Sequence, residues 1–344
     1  MVPLFRCQTA EWARAKEADM RLPIAFLVAV VFAAQAIQPA SAEIWPSRPL
    51  TMLYPFSAGS AGDGVGRILA SALSDLLGQP VIFENVGGAG GMTGANRVAK
   101  AAPDGYEFLL GGTFMVLNET IYRHPLYDAV KDFAPVALLA EQPTVLIARK
   151  DLPANRLQEL ISYTRSNQAK MQYGSAGVGS LTHLSCALLN TAIGVNVTHV
   201  PYRGGGEALQ DLIAGRIDYQ CPILPVALPP IRGETVKPIA VLGKERSPVL
   251  PGLLSAQEQG LADFDVTNWY ALFMPKSTPA PIVQKLHDAT VTALKSPAVR
   301  ERLSAIGATF VASQRQSSSY LADFVSSEVV KWAAPIKASG AQID

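Results

Sequence analysis

Three stretches of this sequence bring hydroxyl and glycine residues together where an apolar run gives way to a helical one. Each is suited to holding an anion. The first is Pro55-Phe56-Ser57-Ala58-Gly59-Ser60-Ala61-Gly62-Asp63. Asp63 stands where an N-cap belongs, with a carboxylate able to bond the first free amides of a helix. Glycine lets a backbone come close to a ligand, and free amides with the helix dipole favour a negative group. The second is Tyr173-Gly174-Ser175-Ala176-Gly177-Val178-Gly179-Ser180-Leu181-Thr182-His183. Ser180 is a natural N-cap here, and Ser175, Ser180 and the loop amides can hold a second anionic group. The third is His199-Val200-Pro201-Tyr202-Arg203-Gly204-Gly205-Gly206-Glu207. Tyr202 can lie over a ligand and Arg203 can add charge. The plainer readings are ordinary strand-to-helix turns, a packing role for His183 and a solvated Arg203.

Other chemistries fit less well. Gly62 and Gly64, with Glu84 about twenty residues on, imitate a dinucleotide fingerprint, but its third small residue is Arg67. A serine hydrolase would use Ser175 or Ser180 with His183. The G-x-S-x-G elbow is absent, because Gly174 directly precedes Ser175, and nothing marks an orienting acid. His124, His183, His199 and His287 lack metal-ligand spacing, so neither a cofactor nor a metal is expected. Cys186 and Cys221 are not spaced as a metal knuckle or CxxC motif. They leave two readings open, a disulfide in an oxidising compartment or two small buried hydrophobes.

The elements that must position these loops alternate. Strand-like runs fall near 50–56, 80–85, 106–110, 136–139, 145–148, 171–175, 197–200, 217–221, 238–242 and 269–274. Between them, Val65, Ile68, Leu69, Ala72, Leu73 and Leu76 share one helical face, with Gly78 as a C-cap. Further helices are expected near 93–100, 157–166, 181–193, 206–214, 280–295, 298–306 and 317–331. Alternation of this kind predicts α/β architecture with parallel sheets covered by helices. Ligands of such sheets sit beyond the carboxyl ends of the strands. Two lobes facing each other would therefore form a carboxylate trap needing few formal charges.

The chain has 344 residues, 29 basic and 28 acidic, with 49% hydrophobic, enough for two domains with cores. Met20-Arg21 leads an apolar run to Ala34, and Ala40-Ser41-Ala42 supplies a small-x-small cleavage signal. Residues 1–42 are therefore expected to be an extension and a cleaved signal peptide, with Met20 as the start and Glu43 as the mature terminus. The remainder carries 25 charges of each sign. It offers no electrostatic footprint for nucleic acid and no polybasic patch for a membrane surface.

The whole pattern resembles the substrate-binding receptors of tripartite tricarboxylate transporters, the Bug-type receptors, from about Trp45 to Asp344. The resemblance is carried by Pro55-Phe56 with Gly59 and Asp63, and by Glu84-Asn85 followed by Gly88-Ala89-Gly90-Gly91. It continues in Ala102-Pro103-Asp104-Gly105-Tyr106, Lys131-Asp132-Phe133-Ala134-Pro135, and Ser175-Ala176-Gly177 with Gly179 and His183-Leu184. Val200-Pro201-Tyr202 with Gly204, Arg246-Ser247-Pro248, and Lys331-Trp332 with Ala338-Ser339-Gly340-Ala341 complete it.

It implies a class II periplasmic-binding-protein fold: two α/β lobes with mixed sheets, joined by two crossover strands around a ligand cleft. The lobes would be 43–141 plus 264–344, and 142–263. It also implies a monomeric periplasmic receptor that captures a small carboxylate and hands it to the large and small membrane subunits of a transporter, and not an enzyme. A sensory module for a membrane kinase would share the fold. Carried onto this sequence, the ligand-binding set is Phe56, Ser57, Ala58, Gly59, Ser60, Asp63, Thr113, Ser175, Ala176, Gly177, Ser180, His183, Tyr202, Arg203, Gly204 and Pro222. Two departures stand out. Ser57, Ala58, Gly59 and Ser60 replace the family's usual two prolines and glycine pair. Pro222 replaces a frequent aspartate that helps relatives hold an amino group, which disfavours an amino-acid ligand.

Overall fold

The computed structural model describes residues 45–262 and 264–339, and its elements all lie in the compact unit Pro46–Asp344. The signal-peptide reading and Met20 fall outside the described residues.

The first sheet begins with β1 (Leu50–Tyr54), a buried apolar strand flanked in parallel by β2 (Val81–Asn85) and β3 (Glu107–Gly112). Its near-continuous hydrophobic run follows from being covered on both faces. β10 (Thr267–Pro275) then pairs antiparallel with β3 on one side and with β4 (Phe133–Pro143) on the other. A short β11 (Thr309–Phe310) closes the edge, giving the order β11-β4-β10-β3-β1-β2.

The second sheet has the order β7-β6-β8-β5-β9. Its strands are β5 (Val145–Arg149), β6 (Gln172–Ser175), β7 (Thr198–Pro201), β8 (Tyr219–Gln220) and β9 (Val236–Val241). β6 is parallel to β7 and β8, whereas β5 is antiparallel to β8 and β9. Alternation alone predicted parallel sheets; both are mixed, as the family resemblance implied. The reason is connectivity. Only Thr144 separates β4 from β5, so the chain runs straight from one sheet into the other, and β10 returns beside that passage. The two passages are tied together: Thr144 Oγ1 donates to Val266 O at 2.7 Å, Leu242 N–H to Thr144 O at 2.9 Å and Val266 N–H to Leu242 O at 2.9 Å.

Helices cover both sheets. α1 (Ala61–Leu77) buries Val65, Ile68, Leu69, Leu73 and Leu77, and ends at Gly78, whose φ of 69° is left-handed. It starts one turn earlier than a cap at Asp63 requires. Ser60 is the N-cap residue, and Asp63 lies in the first turn with its carboxylate accepting the Gly59 N–H at 3.2 Å. The helices that follow are α2 (Met92–Ala99), α3 (Phe114–Ile121), α4 (Leu157–Asn167), α5 (Leu181–Ile193), α6 (Gly205–Ile213) and α7 (Leu224–Arg232). The chain finishes with α8 (Ala280–Lys295), α9 (Pro297–Ala305) and α10 (Ser318–Ser339).

Two helices were not legible in the sequence. α3 is buried on most of its surface and shows no polar face to mark a period. α7 carries Pro229 and Pro230 inside it, residues that argue against a helix until its short length and packing are known. Cys186 on α5 and Cys221 beyond β8 form a disulfide, which settles the open pair within the core of the second sheet.

Candidate functional site

The three sequence motifs meet at one cavity. Its wall contains Phe56, Ser60 and Ala61 from the first loop, Ala176, Ser180, Leu181 and Thr182 from the second, and Gly205 from the third. Gly112, Phe114, Pro222, Ile223 and Val226 are added, as are Tyr54, Asn268 and Tyr270. No charged side chain lines it. Instead, the first residues of α1, α3, α5 and α6 and the N-cap of α7 all face it. The first amides of a helix have no partner within it. Here Ser180 caps α5 by accepting the His183 N–H at 3.2 Å, while the N–H groups of Ala61, Leu181, Thr182 and Gly205 make no hydrogen bond in the protein. Five positive helix ends around an uncharged, mostly apolar space favour an anion with an apolar body.

The loops that build this wall are in close contact across the cleft. A β-carbon at Gly204 would lie 1.9 Å from Ser57 Oγ, and one at Gly90 would lie 2.3 Å from Val178 O. Gly90 also has a φ of 60°, so both space and backbone demand glycine there. The enclosed volume is about 40 Å³.

Of the sequence-derived set, Phe56, Ser60, Ala176, Ser180 and Pro222 line the cavity. Ser57 abuts Gly204, Ala58 and Gly59 are exposed at the loop tip, and Asp63 pairs with Arg67 at 3.1 Å. Thr113 Oγ1 accepts the Trp269 N–H at 3.0 Å and so fixes β10 behind the wall. Gly177 turns the second loop with a φ of 113°. Ser175 is buried and its Oγ lies 2.7 Å from His199 Nε2. The Ser–His pair considered from sequence is not formed. Ser180 meets the backbone of His183 rather than its ring, and His183 Nδ1 accepts the Gly179 N–H at 3.4 Å. His183 stacks on His199 at 4.1 Å, and burial holds their pKa values at about 4 and about 3. Tyr202 donates to Asp211 at 2.7 Å, and Arg203 is exposed.

Sequence reasoning missed Tyr54, Asn268 and Tyr270. Tyr54 and Tyr270 sit inside runs that read as buried strands, Asn268 directly precedes one, and no glycine or hydroxyl cluster marks them. Among the described residues, no group of three or more His, Cys, Asp or Glu is placed to hold a metal, and no helix is long and apolar enough to cross a membrane.

Two α/β halves meeting over a cavity walled by helix N-termini define a solute receptor of the periplasmic-binding-protein class. A sequence model described as the tripartite tricarboxylate transporter family receptor, TctC, matches residues 65–341. The chain belongs to that family. It is 40% identical over 296 residues to a UPF0065 protein from the TAR-I ttuE-ttuC' intergenic region of Agrobacterium vitis, covering 86% of each. Among solved structures it resembles the periplasmic binding protein BugD, with a TM-score of 0.83 and 35% identity, over 87% of this chain and 99% of that one. It also resembles MatC from Rhodopseudomonas palustris with bound malate, with a TM-score of 0.82 and 39% identity, over 85% of this chain and 100% of that one.

Proposed function

We propose that this chain is a periplasmic receptor that captures a small carboxylate in its cleft and delivers it to the large and small membrane subunits of a tripartite tricarboxylate-type transporter. The observation that carries the reading is the convergence of five helix N-termini on a cavity with no charged side chain. Such a site stabilises an anion through fixed dipoles and amides, with no salt bridge to break on release. The malate in the similar MatC structure supports a carboxylate as the occupant. Pro222 in the wall, with no carboxylate beside it, leaves an amino group without a counter-charge.

In this reading the protein is exported by the signal segment 1–42, cleaved near Ala42-Glu43, and acts as a monomer without enzymatic activity. The lobes are 43–141 plus 264–344, and 142–263, hinged where Thr144 meets Val266. A cavity of about 40 Å³ holds only a few waters, at about 10–15 Å³ for one, so a ligand enters when the lobes part and is enclosed as they close. Phe56 to Ser60, Asp63, Thr113, Ser175 to Gly177, Ser180, His183, Tyr202 to Gly204 and Pro222 form or support the two jaws.

A thermal-shift screen of the purified protein against mono-, di-, tri- and aromatic carboxylates tests this. A micromolar binder at millimolar dose adds about 4 kcal/mol of stability. One class should raise the melting temperature, and aspartate and glutamate should not. No shift with any carboxylate, from protein freed of copurified ligand by unfolding and refolding, overturns the reading.

A further inference from the structure

Two side chains in the cavity wall are buried donors without a well-formed hydrogen bond. Asn268 and Tyr270 on β10 are 4% and 2% exposed, and neither Asn268 Nδ2 nor Tyr270 OH has a hydrogen-bond partner. They stand two residues apart on one strand, which puts both on the same face, and both line the cavity. Tyr54 and Asn268 lie close enough to the Tyr270 hydroxyl to influence its proton, but neither makes a well-formed hydrogen bond with it. Burial holds the Tyr270 phenol well above its ordinary pKa, so it keeps its proton and remains a donor.

Buried polar groups are normally paired, and the cavity's other hydroxyls obey that rule. Ser180 donates to Gly177 O at 2.6 Å, Ser60 donates to Ser57 O, Thr182 Oγ1 accepts the Ala176 N–H at 2.8 Å, and Tyr54 OH accepts the Gly62 N–H at 3.1 Å. Other buried side-chain atoms without a partner occur among the described residues, but Asn268 and Tyr270 are the two in the cavity wall.

We infer that Asn268 and Tyr270 form a subsite that binds a second oxygen of the ligand, separate from the carboxylate held by the helix amides across the cleft. The inference rests on the carboxylate reading and narrows it: the ligand is a carboxylate carrying a further acceptor oxygen, as a hydroxyl, a keto group or a second carboxylate. An acid without that oxygen leaves both donors buried and unpaired, which is how a polar site rejects an analogue.

The test is calorimetric titration of the wild type, Tyr270→Phe and Asn268→Ala with two matched series. One is butyrate, succinate and malate; the other is benzoate, 4-hydroxybenzoate and terephthalate. In at least one series the wild type should bind an oxygen-bearing acid at least about tenfold more tightly than its plain counterpart, consistent with one hydrogen bond to a charged or desolvated group. Tyr270→Phe should weaken the oxygen-bearing acid by about five- to twentyfold and leave the plain acid within about twofold. Comparing malate with succinate, and hydroxybenzoate with terephthalate, tells a hydroxyl from a second carboxylate. Because Tyr270→Phe removes a buried donor that lacks a partner, the unliganded melting temperature should not fall, and Asn268→Ala provides an independent variant if it does. Equal loss for every acid, or no loss for any, overturns the subsite and leaves the carboxylate receptor standing. If no acid of either series and no tricarboxylate such as citrate binds the wild type, the carboxylate reading fails and this inference with it.

Discussion

His183 and His199 set the pH behaviour of the second sheet. Their rings stack at 4.1 Å, with Tyr173 4.9 Å from His199. Burial lowers both from the ordinary 6.5, to about 4 and about 3, and the neighbouring His183 lowers His199 further. The unfolded chain therefore takes up protons that the folded chain refuses. The stability from keeping these rings neutral is present in full above pH 6.5 and is lost as pH falls from 6.5 towards 4. The slope is at most about 1.4 kcal/mol per pH unit for each histidine. Urea unfolding at pH 7, 6 and 5 should show that decline, and a His183→Gln/His199→Gln variant should flatten it. A wild type equally stable at pH 7 and 5 would rule the account out. His183 was visible in the sequence as a candidate, but its ring partner was not, because His199 comes from β7, in a different motif, and meets it only in the folded sheet.

At the scale of elements, the Cys186–Cys221 bridge ties α5 to the end of β8. The two residues are 35 apart in sequence, and both are fully buried. Closing a loop of that length restricts the unfolded chain and stabilises the fold by about 3–4 kcal/mol in the chain-entropy account. Cys186→Ala/Cys221→Ala should lose about that much in denaturant unfolding while keeping the fold. A loss below about 1 kcal/mol would mean that the bridge contributes little beyond the apolar packing around it. The strands and long helices were readable because their periodicity is local. The disulfide was not, because the distance between α5 and β8 is a property of the sheet that carries them. α7 was hidden by its prolines, yet it turns Ile223 and Val226 into the cavity wall.

For the whole molecule, the proposed function makes ligand binding depend on two jaws meeting. Gly204, the N-cap of α6, has a φ of −162°, extended backbone open to any residue, so glycine there serves the cap and the space against Ser57 rather than the backbone angle. Across the cleft, the Ser57 hydroxyl can swing away from a single methyl group. Ser57 Cβ would still lie 3.3 Å from a β-carbon at Gly204, which leaves no room for an isopropyl group. Gly204→Val should cost the free protein about 0.5–2 kcal/mol, as a poor N-cap residue does. It should weaken ligand binding by about tenfold or more, about 1.4 kcal/mol. Calorimetry of wild type and variant checks both parts, and unchanged affinity would mean that the jaws do not meet this way around the ligand.

The sequence by itself determined the α/β class, the three glycine- and hydroxyl-rich loops at strand ends, and the family. These follow from local periodicity, backbone freedom and short motifs, which are written in consecutive residues. The tertiary structure decided how the loops are aimed and what else joins them. β10 crosses back from the second sheet and lies antiparallel to β3, and that placement carries Asn268 and Tyr270 to Tyr54 and Phe56, more than 200 positions earlier in the chain. Tyr270 reads as core in the sequence because it is core on every count except hydrogen bonding, and Asn268 reads as a polar residue at the edge of a strand. Whether a buried donor has a partner is decided by neighbours that only the fold supplies.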